Sequence, residues 1–304
     1  MANPMPIQAK VAARATTASL GDYVQLLKPR IILLLVITAY CAMVVAAHGL
    51  PPFFLSLYTL LGLALSAGGA HAVNMWYDQD IDAVMARTSD RPVPQGRVPA
   101  GRSLVLGISL MAVSLVLLLV TVNLLTALLA LGGFLYYVLV YTMWLKRSTP
   151  QNIVIGGGAG AFPPLIGWAA VTGQVGVAAV LMFLIVFFWT PPHFWSLALY
   201  RQDDYRRAGV PMMPVVRGER STKLQMISYT VLLLAASVAL YFTGVVGVIY
   251  LGVAVALSVG FLVMTVLLLR EHAPSTQLAR RTFGYSLLYL TVLFAAMVLN
   301  VRSF

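Results

Sequence analysis

Charge is what this chain has least of. Only 10% of its 304 residues are Asp, Glu, Lys or Arg, against 60% hydrophobic; a soluble domain carries about a quarter charged residues. A shortage that deep excludes a water-soluble domain, because no fold of this size can bury so much apolar surface, so the chain must have lipid as its solvent. Cysteine is almost absent as well. The one cysteine, Cys41, lies in an apolar run, which excludes an internal disulfide framework and a cysteine-rich metal centre and leaves a small packing residue. The first twenty residues hold Lys10 and Arg14 but no acid, and no apolar segment of the kind a signal peptide needs. Residues 1–24 therefore read as a cytoplasmic tail, with a transit peptide as the alternative, and residues 25–304 as one transmembrane domain.

Long apolar runs, in contrast, are plentiful. Crossing a bilayer takes roughly 17–25 residues, and runs of that order fall near 31–48, 53–75, 104–121, 123–144, 152–171, 176–199, 224–243, 245–269 and 283–301. They are continuous, not alternating, which excludes a β-barrel, and in lipid such runs must be helices to satisfy their own backbone groups. The expected fold is an all-α bundle of about nine transmembrane helices. Gly156, Gly157, Gly158 and Gly160, followed by Pro163 and Pro164, read either as close helix packing or as room for a flat or long ligand.

The few charges settle the topology. Nineteen of the twenty basic residues fall in the tail or in the loops after the even-numbered spans, and only Arg302 falls opposite. The positive-inside rule makes the charged side cytoplasmic, puts the amino terminus inside and the carboxyl terminus outside, and accounts for the net charge of +11 without any nucleic acid. All nine acids share that side (Asp22, Asp78, Asp80, Asp82, Asp90, Asp203, Asp204, Glu219, Glu271), although the rule does not require it of acids. Within the apolar runs there is no Asp, Glu, Lys or Arg. A transporter would place polar groups near the bilayer middle, so ionic chemistry is expected at the cytoplasmic helix ends.

The run from His71 to Asp82 closes the second span. Asn74, Asp78 and Asp82 are four apart, a spacing that lines them along one stripe of a helix, each step rising about 6 Å. Such a row of hard oxygen ligands suits magnesium, which takes one or two carboxylates plus substrate phosphates. Arg87 and Arg91 follow, again four apart, and guanidinium forks match phosphate oxygens. The bland alternative is a solvated acidic helix end beside an ordinary basic loop. A weaker echo follows the sixth span: Tyr200, Arg201, Asp203, Asp204, Arg206 and Arg207, then prolines, as in an imperfect parallel repeat.

Asn74-x3-Asp78-x3-Asp82 with Arg87-Thr-x2-Arg91-Pro92 resembles the first aspartate-rich motif of the UbiA-type intramembrane prenyltransferases, and the resemblance covers nearly the whole chain. Within that superfamily, Trp189-Thr-Pro-Pro-His193-Phe-Trp195 through Asp204-Tyr205, and Gly209-Val-Pro-Met-Met-Pro-Val215, resemble the protohaem IX farnesyltransferase (haem O synthase) branch. One position departs from the superfamily: the second motif usually holds two acids four apart, whereas here Tyr200 takes the first place and only Asp204 remains. That departure argues against a quinone-type prenyltransferase.

The resemblance implies that a farnesyl group passes from farnesyl diphosphate to a vinyl group of haem B with addition of water, giving haem O and diphosphate. It implies Mg2+ as cofactor, held through the diphosphate by Asp78 and Asp82, with Asn74 and Asp204 completing the catalytic set. Arg87, Arg91, Lys146, Arg201 and Lys223 are the implied diphosphate ligands, and His71, His193 and Tyr200 the implied haem contacts. His71 and His193 read alternatively as helix-packing histidines, and Trp189, Phe194 and Trp195 read either as stacking partners for the porphyrin or as an interfacial belt. The implied setting is a bacterial inner membrane, with the mitochondrial inner membrane second, and haem A synthase or oxidase assembly proteins as partners. The competing functions are prenylation of a quinone precursor or chlorin, isoprenoid or anion transport, and a non-catalytic assembly scaffold.

Overall fold

The structure, a computed structural model, describes residues 18–271 and 275–302. Most of the expected tail, with Lys10 and Arg14, and His272 lie outside the described residues. Among those described, nine helices of 18 to 25 residues are long and apolar enough to cross a membrane: Pro29–Ala46, Phe53–Tyr77, Ala100–Thr121, Leu124–Ser148, Asn152–Thr172, Val177–Tyr200, Gly218–Tyr241, Val248–Leu268 and Gln277–Leu299. The chain is an all-α integral membrane protein, as its apolar runs require.

The helices run further toward the charged end than the apolar runs do. Leu124–Ser148 takes in Lys146 and Arg147, Gly218–Tyr241 takes in Glu219, Arg220 and Lys223, and Gln277–Leu299 takes in Arg280 and Arg281. The apolar runs themselves carry no charge; these residues lie in the turns by which the helices outrun them. An apolar run measures the part lying in hydrocarbon, while backbone hydrogen bonding continues past it into the polar interface. The expected boundary at residue 24 also falls inside a helix, Leu20–Leu27. A capping box starts that helix: Asp22 donates its backbone N–H to Ser19 Oγ at 3.2 Å, and Asp22 Oδ2 accepts from the Ser19 N–H at 3.0 Å. Leu26 of this helix is buried with Ala72, Met75, Val93 and Val98.

Small residues and hydroxyls bring the spans together. A Cβ built on Gly69 would stand 2.5 Å from the Gly107 carbonyl oxygen, and one on Gly107 would stand 2.7 Å from that of Gly69, so the second and third spans touch backbone to backbone. Ser103 and Ser114 of the third span donate to the Ala72 and Gly62 carbonyls of the second at 2.8 and 2.7 Å. Five of the other spans join the first in one core around Trp168, Trp189, Leu233, Tyr250, Phe261, Tyr289 and Phe294, in which Cys41 packs. At the end away from the acids, His48 Nδ1 lies 2.9 Å from the Arg302 carbonyl, and the Arg302 N–H donates to Val245 at 3.1 Å.

Candidate active site

The second span stops at Asp78 (φ −92°, ψ 14°) and helix resumes as Gln79–Val84. The expected single continuous helix is therefore broken in the middle of the acidic row. The row survives because backbone hydrogen bonds cross the break: Asp78 N–H to the Asn74 carbonyl at 2.9 Å and Asp82 N–H to the Asp78 carbonyl at 2.8 Å. Asn74, Asp78 and Asp82 are 3%, 0% and 1% exposed, which is burial that a merely solvated helix end does not show. Carboxylates buried this far need partners.

Those partners come from three directions. Lys146, at the end of the fourth span, pairs with Asp78 Oδ2, and Arg147 Nη2 lies 3.4 Å from Asp78 Oδ1. Arg147 also grips Asp80 with both fork nitrogens at 2.7 Å, and this contact holds the Asp80 carboxyl below its ordinary range. Arg91 donates to Asp82 Oδ2 at 2.6 Å. Asn74 Nδ2 donates to Asp78 Oδ2 at 2.5 Å and to Thr142 Oγ1 at 3.2 Å, while Asn74 Oδ1 accepts from Lys28 Nζ at 2.9 Å. Lys28 has φ 55°, the left-handed region uncommon for a side-chain-bearing residue. This backbone turns the chain between Leu20–Leu27 and Pro29–Ala46 with the ammonium aimed at the row. Burial pushes its pKa well below the ordinary lysine value, with Arg91 and Lys146 adding to the effect and Asp82 and Asp78 opposing it.

Part of this geometry comes from a wide helix. Tyr136–Leu145 in the fourth span is π-helical, a form found mostly in short stretches and often at functional sites. Thr142 and Lys146, from this stretch and its edge, both reach the second span.

The second acidic segment repeats the architecture with different chemistry. The sixth span ends at Tyr200, and the short helix Gln202–Arg207 follows Arg201. Asp204 is 5% exposed; its Oδ1 accepts from Arg207 Nη2 at 2.6 Å, but its Oδ2, buried too, has no hydrogen-bond partner among the described residues. Asp203 is exposed and pairs with Arg206 at 2.8 Å. Tyr200, Arg201, Asp204, Arg206, Arg207 and Lys223 are among the residues lining a cleft of about 480 Å³. Tyr200 carries Arg280 over its ring at 4.7 Å and Arg201 at 6.0 Å. Lys223 is held inside the protein by Glu219 Oε2 at 3.0 Å and the Glu271 carbonyl at 2.5 Å. Glu271 in turn accepts the N–H groups of Leu278 and Ala279 at the start of the ninth span at 2.7 and 2.9 Å.

One apolar cluster ties the two segments together: Ile81 and Met85 from the first pack with Tyr205, Val210 and Met213 from the second. The two rows therefore flank one apolar cluster at the charged helix ends, with the cleft lined from the second segment's side. Arg87 is exposed and makes no ion pair among the described residues, so the expected Arg87–Arg91 pair is split between solvent and Asp82. His193 is stacked between Trp189 (ring centroids 4.2 Å apart) and Phe283 (4.7 Å), and its Nδ1 lies 2.7 Å from Ser286 Oγ. Trp195 is fully buried and so closed to any stacking ligand. His71 sits edge-on to Tyr137, with neither ring nitrogen paired among the described residues. A Cβ on Gly156, Gly157 or Gly158 would clash with or press on Tyr141, Thr190 or Tyr136, so these three glycines serve packing, whereas Gly160 faces open space.

The donor set fits magnesium in one particular way. Among the described residues no three His, Cys, Asp or Glu side chains converge on one point, so the protein builds no cage of its own. One or two carboxylates with substrate phosphates are what magnesium takes in such sites, and Asp78, Asp82 and the unpaired Asp204 Oδ2 supply hard oxygens for that arrangement. Lys28, Thr142 and Arg147 are site residues that motif reading missed. Lys28 looked like a topological charge, and Thr142 reaches the site from a π-helical stretch that no periodicity announces.

Comparison with known proteins gives the family and the fold. Residues 35–299 match the model of the UbiA prenyltransferase family. The chain is 61% identical over 280 residues to the Protoheme IX farnesyltransferase of Symbiobacterium thermophilum, covering 92% of this chain and 94% of that one. It is 52% identical to the protein of the same name from Roseiflexus sp. (strain RS-1), of whose length it spans about half (52%). Among solved structures, a digeranylgeranylglyceryl phosphate synthase superposes with a TM-score of 0.78 at 18% identity, over 92% of this chain and 98% of that one. A UbiA homolog from Archaeoglobus fulgidus bound to DMAPP and Mg2+ gives 0.68 at 18% identity, over 91% and 99%.

Proposed function

The chain belongs to the UbiA prenyltransferase family, and we propose that it transfers farnesyl from farnesyl diphosphate to a vinyl group of haem B, with addition of water, to give haem O and diphosphate. The observation that carries the reading is the buried row Asn74, Asp78 and Asp82 enclosed by Lys28, Arg91 and Lys146 at the end of an otherwise uncharged membrane span. Ionisation of an allylic diphosphate asks above all for charge neutralisation at the leaving group, and preorganised donors in a site shielded from water supply it.

The homolog solved with Mg2+ and a prenyl diphosphate supports the metal. Asp78 and Asp82 are the carboxylates that would hold it, with Asp204 Oδ2 as the unpaired oxygen of the second segment, on the other side of the apolar cluster. Magnesium, when bound there, neutralises the leaving diphosphate. Lys28, Arg91 and Lys146 supply donors to the diphosphate oxygens, Arg91 through a fork that a lysine cannot reproduce. Asn74 fixes the row by bonding Asp78, Thr142 and Lys28 at once.

For the acceptor, Arg201, Arg206 and Arg207 line the cleft beside the neutral Tyr200. A haem is dianionic at its propionates, so basic groups attract it and a carboxylate at position 200 would repel it. His193, rigidly stacked and bonded to Ser286, stands as a fixed contact for the porphyrin rim. The basic loops support a cytoplasmic side for this site, with the carboxyl terminus outside. The test is incubation of the purified protein with haem B, farnesyl diphosphate and Mg2+, followed by mass spectrometry. A haem adduct carrying one farnesyl and one hydroxyl group is expected. No such adduct, together with prenylation of 4-hydroxybenzoate, overturns the haem assignment and leaves only the family.

A further inference from the structure

Asn152 opens the fifth span and is 1% exposed, yet among the described residues neither its Oδ1 nor its Nδ2 has a hydrogen-bond partner. A buried amide left unpaired destabilises a fold, and none of the roles assigned above uses this one. Its surroundings place it at the seam between the two acidic segments. The next two residues, Ile153 and Val154, belong to the apolar cluster that joins Ile81 and Met85 to Tyr205 and Met213. One turn further along the same helix face, Gly156 lies against the ring of Tyr141; Tyr141 meets Tyr137 (ring centroids 5.5 Å apart), and Tyr137 meets His71 (5.4 Å), three residues before Asn74.

The chemistry of the amide narrows the ligand. Asn offers two donors and an acceptor on one rigid group. An isoprenoid tail offers nothing to either end. An ionised propionate would take the donors and leave Oδ1 unpaired. A magnesium–diphosphate assembly offers both complements side by side, since its phosphate oxygens accept and the waters magnesium retains donate. Building on the function proposed above, we infer that Asn152 is a binding residue for the metal-bound diphosphate, with Nδ2 donating to a phosphate oxygen and Oδ1 accepting from a water of the same assembly.

The inference makes stability and binding move in opposite directions, which a packing residue would not do. Asn152→Leu replaces the amide by an apolar group of similar size and removes the unpaired atoms, so the melting temperature of the detergent-solubilised protein holds or rises. Its affinity for the S-thiolo analogue of farnesyl diphosphate with Mg2+, read by isothermal titration, falls roughly 10- to 100-fold, the usual range for a lost hydrogen bond to a charged partner. Asn152→Ala, which leaves a cavity instead, loses the same affinity whatever it does to stability. Haem B binding, followed by the Soret band, is unchanged in both. Wild-type affinity for the analogue in both variants, while Asp78→Ala loses it, overturns the role of Asn152 and leaves the proposed function standing. Loss of haem binding in place of analogue binding overturns it as well. Wild-type affinity in Asp78→Ala too overturns the diphosphate site itself.

Discussion

The segments Gln79–Val84 and Gln202–Arg207 are built alike and each carries two acids in its first turn, but only the second adds two arginines, and one is closed where the other is open. Each is a six-residue helix set just past the end of an even-numbered span. In the first, Asp78 and Asp82 are buried and each is gripped by a cation from elsewhere in the fold. In the second, Asp204 is paired only with Arg207 three residues on, and its second oxygen has no partner among the described residues. Tyr200 stands where the resemblance to the superfamily leads one to expect another acid. The difference teaches that the first row is preassembled by ion pairs from the fourth span and from the loop that follows the row itself, while the second keeps an oxygen in reserve beside an arginine-lined cleft.

The largest effects should fall on the closed row. Asp78→Ala or Asp82→Ala should lower the rate of haem O formation roughly a hundredfold or more, the usual loss when a preorganised electrostatic group is removed. Gel filtration of the variants in detergent checks that they remain folded. Unchanged turnover in both would reduce the row to a structural ion-pair network. At the open row, Asp204→Asn should cost roughly tenfold or more, whereas Asp203→Ala, exposed and paired only locally, should stay within about twofold because such ion pairs contribute little. Equal losses at Asp203 and Asp204 would break the comparison.

Arg91 separates affinity from fold. Arg91→Lys keeps a charge near Asp82 but loses the fork, so the KM for farnesyl diphosphate should rise about tenfold with a melting temperature close to wild type. An unchanged KM would return Arg91 to topology alone. On the acceptor side, His193→Ala should weaken or alter the Soret band of bound haem B, and an unaltered spectrum would leave His193 a packing residue between Trp189 and Phe283.

How much of this was legible beforehand follows from the physics of each feature. The spans were, because hydrocarbon demands continuous apolar helices and marks them by length. Asp78 and Asp82 were, because spacing by four is local. The break at Asp78 was not, since it lies between residues that keep their hydrogen bonds across it. Lys28 and Asn152 were not either: one reaches the site through a left-handed backbone turn, the other through tertiary burial, and neither leaves a pattern in the chain.

The smallest effect lies outside the site. Arg97 donates to Asp22 Oδ1 at 2.7 Å, and this bond, with those from the Ser19 N–H and hydroxyl, lowers the Asp22 pKa to about 2. A depressed carboxyl contributes stability above its unfolded value, near 4, and loses it as pH falls toward about 2. The melting difference between wild type and Asp22→Asn should be small at neutral pH and close over that window. A gap that persists below it would assign the effect to packing.

The central claim is that this membrane site works by holding a metal-bound diphosphate between two acidic rows. Metal dependence of farnesyl transfer to haem B tests it most directly. Product formation should vanish when the purified protein is stripped with a chelator and return when Mg2+ is restored. Haem O formed at the same rate in excess chelator would contradict the account.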